Sequence, residues 1–308
     1  MPDLSPQDAA LLELLRLLKA RDYRFVAPTP ATRRANLRRR TDDLASDLRD
    51  VFGWSLPFSD DCPDAEVLTL LRRAGAVRRT RAGERSTVRV ASLGSQLFLH
   101  GPGADDDEPV FFGPDSYRFA RFVTEALSGQ SPRRIVDIGT GSGAGGLVAA
   151  SVCPDAEIVL TDVNPRALRL ARINAAAAGV EADLIEGAGI DPVPGSFDVA
   201  LLNPPYIAGD SGPTYSAGGD MHGARLALDL SRAIVDRLQP GGRLLLYTGA
   251  PIVHGGSDPL RDALAVLPDI HLDYQETDPD VFGLLIGNRS YRGVERIAVV
   301  NAVLTRRG

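Results

Sequence analysis

Asn203-Pro204-Pro205-Tyr206 follows the apolar run Phe197-Asp198-Val199-Ala200-Leu201-Leu202. The run reads as a short buried strand, and two prolines end it because they cannot donate to a ladder. Freed of N–H groups at its centre, the tetrapeptide can turn carbonyls into a cleft. An asparagine Oδ1 and a backbone carbonyl together accept both hydrogens of one NH2 group, and the Tyr206 ring can lie over a flat group. The plain alternative is a rigid loop after a strand. Upstream, Ile135-Val136-Asp137-Ile138 reads as another buried strand, followed at once by Gly139-Thr140-Gly141-Ser142-Gly143. Glycines allow a tight turn and close approach of backbone to a ligand. The helix beginning near Gly143 offers N–H groups and a positive end to an anion. Gly139-x-Gly141-x-x-Ala144 also fits the dinucleotide pattern, which alone is a weak signal. Asp162 closes the next strand, Ile158-Val159-Leu160-Thr161-Asp162, where an acid meets the two hydroxyls of a ribose. These residues describe a ligand with a ribose and an anionic end, either a nicotinamide dinucleotide or S-adenosylmethionine with its carboxylate.

The elements that must position these residues alternate in type. Strands are expected near 134–138, 156–161, 182–186, 198–202, 242–248, 269–275 and 293–304. Helices are expected near 143–152, 165–179, 221–238 and 258–267, with Asn164-Pro165 capping and opening the second. Such alternation implies a mostly parallel α/β sheet covered on both faces. Before it, Ser5-Pro6-Gln7-Asp8 starts a helix with a broad leucine face. Ala27-Pro28-Thr29-Pro30 breaks the chain, and Thr32 to Arg40 carries five arginines. Thr41-Asp42-Asp43 is expected to cap a helix with Leu44, Leu48 and Val51 inward and Gly53 as its stop. A further helix is expected over 64–74, then strands Val77–Thr80 and Thr87–Val90 joined by Ala82-Gly83-Glu84. Two helices and a basic hairpin resemble a winged helix; the plain reading is a helical cap. Gly101 to Glu108 reads as a hydrophilic linker, which sets an expected boundary between residues 1–108, a substrate-recognition domain, and 109–308, the catalytic domain.

The 308 residues are 44% hydrophobic and 24% charged, ordinary material for one large and one smaller domain. Only Cys62 and Cys153 occur, far apart, which excludes a disulfide scaffold and suits a reducing cytoplasm. No apolar run reaches membrane-spanning length, so no membrane association is expected. A net charge of −6 excludes a protein that coats nucleic acid. The distribution is uneven, with 15 arginines against 10 acidic residues between Arg21 and Val90. That basic portion is a possible face for RNA, DNA or an acidic protein surface.

A dehydrogenase has no use for Asn-Pro-Pro-Tyr after its fourth strand. With Asp137-Ile138-Gly139-Thr140-Gly141-Ser142-Gly143, Asn203-Pro204-Pro205-Tyr206-Ile207 and Gly218-Gly219-Asp220-Met221-His222-Gly223, residues 110 to 305 resemble class I S-adenosylmethionine-dependent methyltransferases. Within these they are most similar to the HemK/PrmC protein-glutamine N5-methyltransferases. The resemblance implies a Rossmann-like seven-stranded sheet, S-adenosylmethionine as methyl donor and a protein side-chain amide as acceptor. It implies cofactor contacts at Asp137, Gly139, Thr140, Gly141, Gly143, Asp162, Val163, Asn164 and Asn203, and catalytic acceptor contacts at Asn203, Pro204 and Tyr206. The chain departs from the family in three places. Phe112-Gly113-Pro114-Asp115-Ser116-Tyr117-Arg118 stands where an Ile-Pro-Arg-Pro-Glu-Thr-like segment is usual. Glu186-Gly187-Ala188-Gly189 shows no acid placed for adenine. The N-terminal portion does not match the usual five-helix lid.

Other acceptors fit the same corner. An exocyclic base amine of RNA or DNA is equally planar, and so is a nitrogen of a small molecule. A cofactor-sensing nucleic-acid-binding module is the non-enzymatic reading, but a sensor needs no acceptor clamp. Tyr117, Arg118, Pro205, Tyr215 and His222 are further candidates for substrate binding. His100, His254 and His271 are too scattered for a metal site, and none is expected.

Overall fold

The computed structural model describes residues 4–60, 64–102, 109–208 and 218–308. Cys62, Tyr215 and the acidic run 105–108 fall outside them. The chain forms two compact units. The first takes Met1–Arg118, Gly141–Leu147 and Asn164–Ala182; the second takes Phe119–Thr140, Val148–Val163 and Asp183–Gly308.

In the first unit, helix α1 (Pro6–Ala20) starts where Ser5 Oγ accepts from Asp8 N at 3.1 Å. Helix α2 (Pro30–Arg38) starts on Thr29, and α3 (Ala65–Arg73) on Asp64, whose carboxylate accepts from Val67 N. Strands β1 (Val77–Thr80) and β2 (Gly83–Ser86) form one hairpin, and β3 (Arg89–Leu93) and β4 (Gln96–His100) a second. The expected partner of Val77–Thr80 therefore shifts from Thr87–Val90 to Gly83–Ser86, because the turn closes tightly as Thr80 pairs with Gly83.

The helix expected from Thr41 begins only at residue 48. Residues 41–47 are bends and irregular chain, and helical backbone runs over 48–54 and widens over Asp50–Trp54. Val51 is buried as expected, and Leu44 is exposed. The capping alternative is the reason: Asp50 accepts from Ser46 N, Ser46 Oγ and Arg40, and Asp47 accepts from Asp50 N. Local side-chain bonds of this kind compete with helix. Gly53 is not a helix stop; the Phe25 ring occupies the place of its missing side chain.

Much of the N-terminal positive charge is engaged internally. Arg33 donates to Trp54 O and Arg89 to Gly53 O. Arg72 pairs with Asp60 and Glu84, and Arg21 with Asp64 and Glu66.

Helices α4 (Pro114–Leu127) and α5 (Ala144–Val152) lead into and out of strand β5 (Arg134–Ile138). Strand β6 (Glu157–Asp162) precedes α6 (Pro165–Ala178), and β7 (Asp183–Glu186) follows it. Asn164 Oδ1 accepts from Arg166 N at 2.9 Å, Pro165 opens α6, and Gly179 closes it with φ +71°. Strand β8 (Phe197–Leu202) then leads through helix α7 (Arg225–Val235) to β9 (Leu238–Val253). Helix α8 (Pro259–Ala265), β10 (Ile270–Asp278) and β11 (Val294–Arg306) complete the second unit.

The second unit is built on a seven-stranded sheet in the order β10-β11-β9-β8-β5-β6-β7. The five strands β7, β6, β5, β8 and β9 pair in parallel, and β11 and β10 add an antiparallel edge. Val136, Ile138, Ala200, Leu202, Leu244 and Leu246 fill one of its buried faces. All seven expected strands are present. Helix 221–238 is shorter than expected because Met221 and His222 both carry φ +54°, a conformation no helix tolerates.

No helix among the described residues is long and apolar enough to cross a membrane.

Candidate active site

In doubly wound sheets, ligands bind outside the carboxyl ends of the strands, where the strand order reverses. In the second unit that point lies between β5 and β8. Ile138 is in register with Leu202 on one side and with Thr161 on the other. The next residues, Asn203, Gly139 and Asp162, therefore stand side by side across three adjacent strand ends. Chain positions far apart in sequence thus meet because parallel pairing aligns their strands.

The loop after β5 has the backbone that its glycines allow. Gly139 has φ +67°, Gly141 +56° and Gly143 +85°. A side chain at Gly139 would meet nothing within 4 Å, so the backbone borders open space. Asp137 is buried, 2% exposed, and accepts from Thr140 Oγ1 at 2.6 Å. Thr140 N donates to Thr161 O at 2.9 Å, which ties the loop to β6. Gly187 N donates to Asp162 O at 3.0 Å, fixing the Asp162 backbone. Val163, next in sequence, is 63% exposed and presents an apolar surface.

These features fit S-adenosylmethionine. Asp162 has the charge and place for ribose hydroxyls, and Val163 offers apolar surface to a purine. Gly139 and Thr140 bring backbone to the open space, and Asn203 borders it. In the first unit, Gly141 and Gly143 continue the loop, and Asn174 stiffens it from behind. Asn174, 1% exposed, donates to Ser142 O at 2.8 Å and to Leu99 O at 2.9 Å, and accepts from Leu99 N at 2.8 Å. Asn164 spends its Oδ1 on the start of α6.

The acceptor corner is held from several directions. Asn203 and Pro205 are half-buried, Pro204 is buried, and Tyr206 is 9% exposed. The Tyr206 ring lies against Gly249 of β9, where a side chain would stand 2.9 Å from Cε2. Its other neighbour is Phe282, with ring centroids 5.9 Å apart. The sequence expectation that Tyr206 covers a flat substrate thus meets a ring largely committed to the protein. The Gly218–Gly223 loop packs on the Tyr206 backbone: a side chain at Gly218 would stand 2.7 Å from Tyr206 Cα, and one at Gly223 2.9 Å from Ala208 N. Tyr291 Oη accepts from Ala208 N at 2.8 Å, and burial pushes the phenol pKa up, keeping its proton.

The lesser candidates have clear positions. Tyr117 Oη accepts from Ala27 N at 2.9 Å and its ring edges onto Phe112; burial raises its pKa. Arg118 pairs with Asp115 at 3.2 Å. His222 Nδ1 donates to Ser290 O at 2.7 Å. Tyr215 lies outside the described residues. Gly249, Phe282 and Tyr291 are residues that sequence reasoning missed. A glycine inside a strand is a signal for close approach of another chain segment, so Gly249 was the one available clue.

Strand order, glycine loop, strand-end acid and proline corner define a class I S-adenosylmethionine-dependent methyltransferase. The family model "Methyltransferase small domain" matches residues 118–248. A release factor glutamine methyltransferase of Bordetella pertussis is 31% identical over 200 residues, covering 62% of this chain and 73% of that protein. A second, of Deinococcus radiodurans, is 32% identical over 143 residues, covering 43% of this chain and 51% of that one. The chain thus spans about half the length of several of the curated relatives it matches. The crystal structure of Methanocaldococcus jannaschii Trm5 in complex with adenosine superposes with a TM-score of 0.51 at 15% identity, over 87% of this chain and 74% of that one, a likeness of fold. The chain belongs to the release factor glutamine methyltransferase family.

Proposed function

We propose that this protein methylates the side-chain amide nitrogen of a glutamine in a protein, a translation release factor foremost. The observation that carries the reading is the alignment of Asn203 with Gly139 and Asp162 at adjacent strand ends. It supports a clamp for a planar nitrogen at Asn203, beside the residues suited to the methyl donor. The names of the relatives support the glutamine.

An amide nitrogen is a poor nucleophile because its lone pair is delocalised. Asn203 Oδ1 and the Pro204 carbonyl accept its two hydrogens, which fixes the group and favours pyramidal nitrogen. S-adenosylmethionine supplies an electrophilic methyl group on a sulfonium. Nitrogen–carbon bond formation accompanies cleavage of the sulfur–carbon bond, and the amide proton leaves afterwards to water. The corner contributes orientation and the stabilisation of positive charge growing on nitrogen. Pro204 and Pro205 add no N–H that would compete for the same oxygens. In this reading residues 1–108, outside the matched family model, recognise the acceptor.

The test uses tritiated S-adenosylmethionine and a release factor purified from a strain lacking its own glutamine methyltransferase. Label is expected at one glutamine, and Asn203→Ala is expected to lower kcat about a hundredfold or more while cofactor still binds. Label in RNA or in small molecules, with none in the factor, rejects the reading.

A further inference from the structure

Between β10 and β11 the chain makes an excursion, 279–293, that returns to the acceptor corner at three points. The Phe282 ring stands 5.9 Å from the Tyr206 ring. Ser290 O accepts from His222 Nδ1 at 2.7 Å, and Tyr291 Oη accepts from Ala208 N at 2.8 Å. The excursion shares a small core with β11 and β9, in which Tyr291, Val294 and Ile297 pack with Val253, Val281, Leu285 and Ile286. It is therefore a fixed strap in the second unit, fastened beside Asn203-Pro204-Pro205-Tyr206.

Two apolar side chains of this strap do not turn inward. Phe282 is 38% exposed and Leu284 is 94% exposed. Phe282 also has φ +57°, uncommon for a bulky residue. Six non-glycine residues among those described have positive φ, and three of them, Met221, His222 and Phe282, belong to the loop and strap around this corner. Such conformations gather at ligand clamps. With this backbone Phe282 stays part-exposed beside the Tyr206 ring.

Resting on the glutamine reading, we infer that Phe282 is the exposed wall of the acceptor slot and that Leu284 receives the polypeptide flanking the modified glutamine. Tyr206, mostly covered, braces Phe282 from behind. The occupant is a polypeptide, in keeping with the release factor named for the relatives this chain resembles. A solvated leucine two residues from a part-exposed phenylalanine suits an apolar side chain on an extended peptide.

The strap is tested with the full chain, tritiated S-adenosylmethionine and the same unmethylated release factor. The Leu284 side chain is solvated, so Leu284→Asp leaves folding intact. This variant is expected to raise the KM for the factor about tenfold, with kcat within about twofold and unchanged cofactor affinity. Phe282→Ala is expected to raise the same KM and lower kcat, and Phe282→Tyr to restore both. Should Phe282→Ala fail to fold, Leu284→Asp decides alone. A KM for Leu284→Asp within about twofold of the wild type, which itself labels the factor, overturns the strap and leaves the glutamine reading standing. A wild-type protein that labels RNA or nothing overturns both.

Discussion

Tyr206 packs against Gly249 so closely that a methyl group at position 249 would stand 2.9 Å from Cε2 and 3.1 Å from Cγ of the ring. Gly249 belongs to β9, in register with Val299 of β11, so its backbone cannot retreat without disturbing the sheet. The proline corner is thereby held from behind by a residue that has no side chain.

Gly249→Ala is expected to displace the Tyr206 ring and the corner with it. Overpacking of this kind costs about 1–3 kcal/mol in stability, and misplacement of a reacting group by about 1 Å costs up to about a hundredfold in rate. Methyl transfer should therefore fall at least tenfold, to judge by that scale, while S-adenosylmethionine binding persists. Single-turnover labelling alongside calorimetry measures both. Unchanged transfer would show that the ring does not set the corner.

Asp162→Ala is expected to weaken cofactor binding. Two charge-assisted hydrogen bonds to a ribose are worth about 1.5–3 kcal/mol each, so losing both should raise Kd by about 100-fold or more. The Gly187 N bond to the Asp162 carbonyl survives the substitution. Calorimetry giving a Kd within about threefold of wild type would move the ribose contact elsewhere, first to Glu186, which is in register with Asp162.

Asn174→Ala is expected to destabilise the protein by about 3 kcal/mol or more. The substitution strips partners from Leu99 N, Leu99 O and Ser142 O, all served by one side chain that is 1% exposed. Denaturant unfolding measures the loss. Asn174→Asp should recover only part of it, because a carboxylate serves Leu99 N but cannot donate to the two carbonyls.

His100 makes the first unit sensitive to acid. It is 1% exposed, faces Arg89 across β3 and β4, and stacks on Phe112 with centroids 5.3 Å apart. Its Nδ1–H donates to Gly101 O at 2.9 Å. Burial first, and then Arg89, hold its pKa well below the ordinary histidine value. Below about pH 6.5 the unfolded chain takes up a proton that the folded protein refuses. Stability is therefore lost as pH falls from there, with a limiting slope of about 1.4 kcal/mol per pH unit from this group. His100→Phe should remove that share. Melting temperatures of wild type and variant across this range test it: parallel curves would mean that His100 takes no part.

Much of the parallel sheet and of the loops and helix starts at its strand ends could be read from local pattern. The apolar runs that became β5, β6 and β8, the glycines of 139–143, the Asn164-Pro165 helix start and the proline stop after Leu202 act within a few residues, by sterics, capping and missing N–H groups. They fixed which residues sit at strand ends and so named Asp162, Gly139 and Asn203. Local pattern failed at Thr41, where Ser46, Asp47 and Asp50 bonded to one another, and at Met221, where left-handed backbone cut a helix short.

Sequence alone determined the chemistry on offer: a corner whose two prolines carry no N–H, a glycine loop that frees backbone at a strand end and an acid at the end of the next strand. Tertiary structure alone decided which segments brace that corner. Gly249, Phe282 and Tyr291 lie far along the chain from Tyr206, and their approach depends on β9 and β11 pairing in the sheet. No periodicity or motif encodes a contact between residues so distant in sequence, because it is fixed only once the strands between them have found their order.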